Sequence, residues 1–135
     1  MAAYGLGNAR VRLIRHNENL TYCVEERFLL RVHRSASGFE TELLAPSADR
    51  AARCESELDY IEALGQAGFA PLQRPVRNLR GQWATRLSGG APATLLTWLA
   101  GEDAGKAPLT PARCRQWGRR IAELHAVSRR LSRGP

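Results

Sequence analysis

Residues 20–34, LTYCVEERFLLRVHR, constrain the fold more than any other stretch of the chain. Leu20, Tyr22 and Val24 share one face of an extended segment, and Phe28, Leu30 and Val32 share one face of the next. Only the charged connection EER separates them, so the two segments predict an antiparallel pair. A weaker alternation over residues 9–15, with Val11 and Leu13, adds a third strand across the polar turn RHNEN (15–19). The opposite face of the third strand in this meander carries Leu29, Arg31 and His33. A guanidinium thus occupies the middle of a strand with the apolar content of a buried one.

The rest of the chain changes period. Residues 35–50 contain Ser, Gly and Pro and read as a loop. From about Asp49 to Gly65, Cys54, Leu58, Ile61 and Leu64 recur at spacings of three and four, which predicts a helix, with Gly65 and Gly68 as its stop. PLQRPV leads to a fourth strand near Val76, LRGQ is a turn, and Trp83–Leu87 is a fifth strand. ATLLTWLAG (93–101) is a buried apolar run, read as a strand-like linker, and GEDAGKAP continues it. Thr110 caps a last helix with Pro111 in its first position and apolar residues at Cys114, Trp117, Ile121, Leu124 and Leu131. No internal repeat is visible. The expectation is an α+β fold in which one helix covers a five-stranded antiparallel sheet, followed by a linker and a C-terminal helix.

A chain of 135 residues fits one domain, and 44% hydrophobic with 24% charged residues excludes a disordered chain. No apolar run approaches membrane-spanning length, and the N-terminus lacks the apolar core of a signal peptide. Cys23, Cys54 and Cys114 lie far apart without a CxxC pair, which argues against disulfides or zinc and for reduced packing thiols in a cytoplasmic protein. The net charge of +7 is almost all arginine, Lys106 being the lone lysine. Such a balance opens the alternative of a basic nucleic-acid-binding protein. The arginines are scattered, however, except for the tail SRRLSR, and no nucleic-acid motif accompanies them.

On a wheel of 100° per residue with Cys54 at zero, Glu57 falls at about 300°, inside the apolar stripe, while Glu55, Asp59 and Glu62 fall at roughly 80–140°, on the expected solvent side. Two opposite charges, Arg31 and Glu57, are thereby aimed inward, and unpaired buried charges are costly. They are expected to meet. The pair is either an ion pair fastening helix to sheet, or one that holds a cation toward a ligand phosphate, for which a guanidinium fork is suited.

In order and spacing, ENLTYCV, FLLRVHR, ESELDYIEAL, GFAPLQRPV, TLLTWLAGE and IAELHAV resemble the N-terminal lobe of the aminoglycoside phosphotransferase-like kinases, which include choline kinases. The resemblance implies that Arg31 stands where a strand lysine contacts ATP phosphates, and Glu57 where its helix partner stands. It implies that HNEN (16–19), with Asn17 and Asn19, is the turn over the phosphates. LLTWLAG would be the hinge, with the Thr97 carbonyl and Leu99 amide toward adenine and Leu29 packed on the base. The chain departs from the family in having arginine for that lysine and no glycine in EER. It also has no His-Gly-Asp segment: its only aspartates are Asp49, Asp59 and Asp103. His125 falls at about 20° on the last helix, a core position.

Residues 1–100 are therefore expected to form a nucleotide-binding lobe. Residues 101–135 are expected to form the linker and first helix of an otherwise absent C-lobe. ATP is the expected ligand, with magnesium only where a C-lobe is present. The partners implied are a small-molecule hydroxyl acceptor and either the missing C-lobe or a second chain, and truncation is the favoured account. A non-catalytic nucleotide-binding or regulatory module is the alternative.

Overall fold

The computed structural model describes residues 1–34, 36–37, 50–101, 105 and 108–132. The expected loop over 35–50 and the linker GEDAGKAP lie largely outside these. A short 3-10 helix at Ala2–Tyr4 precedes strands β1 (Val11–His16), β2 (Leu20–Val24) and β3 (Phe28–Val32). Helix α1 (Arg50–Gln66) follows, then β4 (Pro75–Val76), β5 (Ala84–Arg86), β6 (Pro92–Thr97) and helix α2 (Pro111–Ser132).

The meander forms as expected, with Tyr22 opposite Leu30 and Cys23 opposite Leu29. Its tight turn places Glu25 and Glu26 both at φ 52°. Positive φ at two successive residues is the backbone of the hairpin turn that usually takes Asn-Gly. The absence of glycine from EER therefore leaves a strained turn rather than a different one.

Among the described residues the sheet has six strands, not five. The run expected as a strand-like linker is β6, which pairs antiparallel with β3, Leu96 lying opposite Leu29 and Thr94 opposite Arg31. On its other edge β6 pairs with both β4 and β5, so the order is β1-β2-β3-β6-β4 with β5 on β6. Pro92 through Leu96 are all buried. A strand covered on both faces reads as a continuous apolar run and loses the alternation that marks half-buried strands. The neighbouring β4 and β5 are shorter than expected because each occupies only part of that one edge.

α1 lies on the sheet through Leu58, which clusters with Trp83 and Leu96, with Leu29 and Ile61 packed against them. It ends in a Schellman motif: Gly68 adopts φ +84°, its amide donates to Gly65 O, and the Phe69 amide donates to Leu64 O.

The expected solvent side of α1 is a correction. Glu55 accepts the backbone amides of Trp83 (3.3 Å) and Ala84 (2.7 Å), and Asp59 accepts the Trp83 indole N–H at 2.7 Å. Glu62 pairs with Arg74 at 2.9 Å. These carboxylates satisfy the backbone where the chain enters β5 and close the helix flank against β4 and β5. A wheel built on the apolar stripe alone cannot show a second, polar contact surface.

α2 starts as expected, the Arg113 amide donating to the Thr110 hydroxyl at 3.3 Å. It rests on α1. Tyr60 and Ser128 share a hydroxyl hydrogen bond at 2.5 Å, and Arg120 lies over the Phe69 ring and donates to Ala70 O. Val127 is buried, but Trp117 and Ile121 are 42% and 54% exposed. His125 is exposed rather than a core residue, and Cys114 is exposed while Cys23 and Cys54 are buried. Among the described residues, the apolar stripe on which both were placed is covered only near Val127.

Candidate functional site

Alternation along β3 turns Leu29, Arg31 and His33 toward α1. Spacings of four and three turn Arg50, Cys54 and Glu57 toward β3. The two rows meet. Arg31 Nη1 lies 3.2 Å from Glu57 Oε1, as the sequence predicts. The pair is less buried than expected: its side chains are 27% and 48% exposed. It is therefore not a stranded charge pair in the core but a water-washed bridge, free to re-form around a ligand.

Beside it, His33 Nε2 is 3.0 Å from the hydroxyl of Thr94, which is buried and lies opposite Arg31 in β6. Arg50 donates from Nη1 to the His33 carbonyl at 2.9 Å. Burial, and then the Arg31 and Arg50 charges, push His33 down from 6.5 to about 4. The imidazole is therefore neutral near pH 7. Burial, and then Glu57, push the Cys54 thiol up to about 11, which makes it a packing group and not a nucleophile.

The remaining predicted residues lie at the two ends of this face. Asn17 and Asn19 form the β1–β2 turn, closed by the Asn17 amide on Asn19 O and tied to the end of β3 by the Ala36 amide on Asn17 O. Thr97 lies at the opposite end, across from Phe28. Its amide donates to Arg74 O, its hydroxyl accepts the Arg74 amide, and its carbonyl accepts Gln73 Nε2 at 3.3 Å. A carbonyl has a second lone pair, so one acceptor position remains. The Trp98 amide is engaged by Arg27 O, and Leu99 follows in an exposed segment. A cavity of about 400 Å³ lined by Arg12, Cys23 and Glu26 lies at the Leu29 end. Leu29, Arg31 and the 17–19 turn thus run in that order along one face. Among the described residues no cluster of His, Cys, Asp or Glu could hold a metal ion, and no helix is long and apolar enough to cross a membrane.

Sequence reasoning did not single out His33, Arg50 or Thr94. His33 has the parity of Arg31, and Arg50 precedes Glu57 by two turns, so the signal was periodicity carried one step further.

This arrangement can be compared with known proteins. Residues 10–135 match the phosphotransferase enzyme family. The chain belongs to that family. In fold it is similar to the solved structure of a microcompartment-associated aminopropanol kinase, with a TM-score of 0.69 and 26% identity. The match covers 93% of this chain and 37% of that one, so the chain spans well under half of the kinase's length. No curated protein sequence matches the chain. The fold is kinase-like, and the fold neighbour is a small-molecule kinase.

Proposed function

We propose that this chain is the nucleotide-binding lobe of an ATP-dependent kinase that phosphorylates a hydroxyl of a small molecule. The observation that carries the reading is the Arg31–Glu57 bridge, 3.2 Å long and open to solvent, on the face between Leu29 and the 17–19 turn. Its open side suits a polyphosphate, because an arginine fork takes phosphate oxygens while a carboxylate holds it in place. Leu29 supplies an apolar surface for adenine, the Thr97 carbonyl and the Leu99 amide supply the base edge, and Asn17 and Asn19 supply the turn over the phosphates. ATP brings the transferable phosphoryl group. This chain's residues bind and orient it.

Residues 1–100 form the binding lobe in this reading, and residues 101–135 the linker and first helix of a second lobe. Transfer also needs a base for the acceptor hydroxyl and ligands for magnesium. The chain contains no His-Gly-Asp segment to supply them. We therefore assign both to residues beyond this chain, in a C-lobe or a second chain, and expect no transfer by these 135 residues alone. An amino alcohol, the substrate class named for the aminopropanol kinase, is the first acceptor to test.

Isothermal titration of ATP and adenosine tests the binding half of the reading. Arg31→Ala is expected to weaken ATP and leave adenosine unchanged in the folded fraction. Equal losses for the two ligands would reduce Arg31 to a structural arginine. Phosphorylation of an amino alcohol by the isolated chain would overturn the assignment of the base elsewhere.

A further inference from the structure

We infer that the connection between β4 and β5 forms a separate anion site, in which Arg80 and Arg86 take the phosphate group of a small phosphate monoester. The site is independent of the function proposed above.

The connection is built on one buried side chain. Asn78 is 7% exposed, and its Oδ1 accepts the amides of Arg80 at 2.9 Å and Gln82 at 3.0 Å. Its Nδ2 donates to Ala84 O at 3.3 Å and to Thr85 Oγ1 at 3.0 Å. Its own amide donates to Gln82 O, and its carbonyl accepts the amide of Gly81, which takes the positive φ of the turn, +76°. The N-terminal 3-10 helix is clipped to the same turn. The Leu79 amide donates to Ala3 O, and the Tyr4 hydroxyl reaches the carbonyls of Trp83 and Ala93. Between turn, helix and β5 lies a cavity of about 560 Å³, lined by Arg80, Gln82 and Arg86 with Ala3 and Leu79. Neither the Arg80 nor the Arg86 side chain takes part in the bonds that shape it.

The charges of those two side chains are also unspent. Residues 63–101 carry four arginines and no Asp, Glu or Lys. Arg74 pairs with Glu62, and Arg77 donates to Gly81 O at 2.7 Å and lies 3.6 Å over the Trp83 ring. Arg80 and Arg86 are exposed and meet no hydrogen-bond or ion-pair partner among the described residues. Two guanidinium groups and no carboxylate line the cavity. A phosphate monoester carries about −1.5 to −2 near neutral pH, which balances two cations, whereas a monocarboxylate brings one charge. Guanidinium forks suit its oxygens, and the Gln82 amide adds a neutral donor. Leu79, 76% exposed, gives the carbon part of the ester an apolar surface. Register separates this site from the Arg31–Glu57 bridge. Thr85, in the cavity wall, shares a face with Ala93 and Val32, while Arg31 shares the other with Thr94.

The test follows the backbone amides of the chain by NMR during titration with glycerol 3-phosphate, inorganic phosphate and acetate, at about 150 mM chloride to screen loose association. Glycerol 3-phosphate is expected to shift Arg80, Gly81, Gln82 and Arg86 saturably, inorganic phosphate to bind there less tightly, and acetate least. Arg80→Gln and Arg86→Gln should each weaken glycerol 3-phosphate about tenfold. The corresponding lysine variants, which keep the charge, should lose less. Shifts confined to the 17–19 turn and Arg31 would move the anion to the other face and overturn the inference. So would unchanged affinity in both glutamine variants, or no saturable binding. Inorganic phosphate binding as tightly as the ester would overturn the monoester, and acetate binding as tightly would overturn the phosphate. The wild-type shift map decides the location even if a variant does not fold. Failure here leaves the expected loss of ATP binding in Arg31→Ala unaffected, so the two readings fail separately.

Discussion

His33 should make the protein acid-sensitive in a range where its carboxylates are still ionised. Its folded pKa is lowered from 6.5 to about 4, chiefly by burial. A lowered value in a histidine means that the unfolded chain binds the proton first. The stability tied to the neutral ring is thus complete above 6.5 and is lost as pH falls toward 4. Between those limits the loss approaches 1.36 kcal/mol per pH unit. Summed down to pH 5, the ceiling is about 2 kcal/mol, and the partial exposure of His33 brings the expected loss to about 1–2 kcal/mol. His33→Gln keeps a polar partner for Thr94 and removes the titration. Urea unfolding of both proteins at pH 7 and pH 5 isolates the effect, because the carboxylates common to both cancel in the double difference. Wild type should lose about 1–2 kcal/mol more than the variant over that interval. Parallel pH dependences would refute the placement of His33 between burial and two arginines.

Other outcomes follow from packing. Glu55→Ala strands the amides of the buried Trp83 and Ala84 and should cost about 2–4 kcal/mol in urea unfolding; a cost below about 1 would mean water replaces the carboxylate. Glu26→Gly relaxes a positive-φ residue in the β2–β3 turn and should raise the unfolding temperature by a few degrees, whereas a lowered one would show that the Arg12–Glu26 contact outweighs the strain. In a double-mutant cycle, Arg31→Ala and Glu57→Ala should couple by less than about 1 kcal/mol, because the bridge is solvent-exposed; a coupling of several kcal/mol would place it in a dry interior.

Much of this architecture was legible in the residues. Alternation showed which face of β3 carries Arg31, and the periodicity of α1 put Glu57 opposite it. What escaped shares a cause: patterns read one element at a time report a single contact surface. Glu55, Asp59 and Glu62 contact a second neighbour, so their polarity was mistaken for solvent. β6 has neighbours on both edges and both faces, so its alternation vanished. His125 sits on an apolar stripe that the described residues cover only near Val127, so position on a wheel overstated its burial. Tyr4, whose hydroxyl donates to the carbonyls of Trp83 and Ala93, gave no periodic signal at all.

The pairing of β3 with β6 also sets an order of events during synthesis. The meander through residue 32 is built from neighbours in sequence and can zip as soon as it leaves the ribosome. Its third strand then waits for Ala93–Thr97, more than sixty residues later, to fill its open edge. Until those residues emerge, β3 presents unpaired backbone beside Leu29 and Leu30, the kind of edge on which nascent chains associate wrongly. Closure by β6 is the non-local step, and loop closure over that length makes it the slow one. Leu95 and Leu96, fully buried at the end of this wait, therefore govern the rate at which the chain escapes aggregation as well as its final stability.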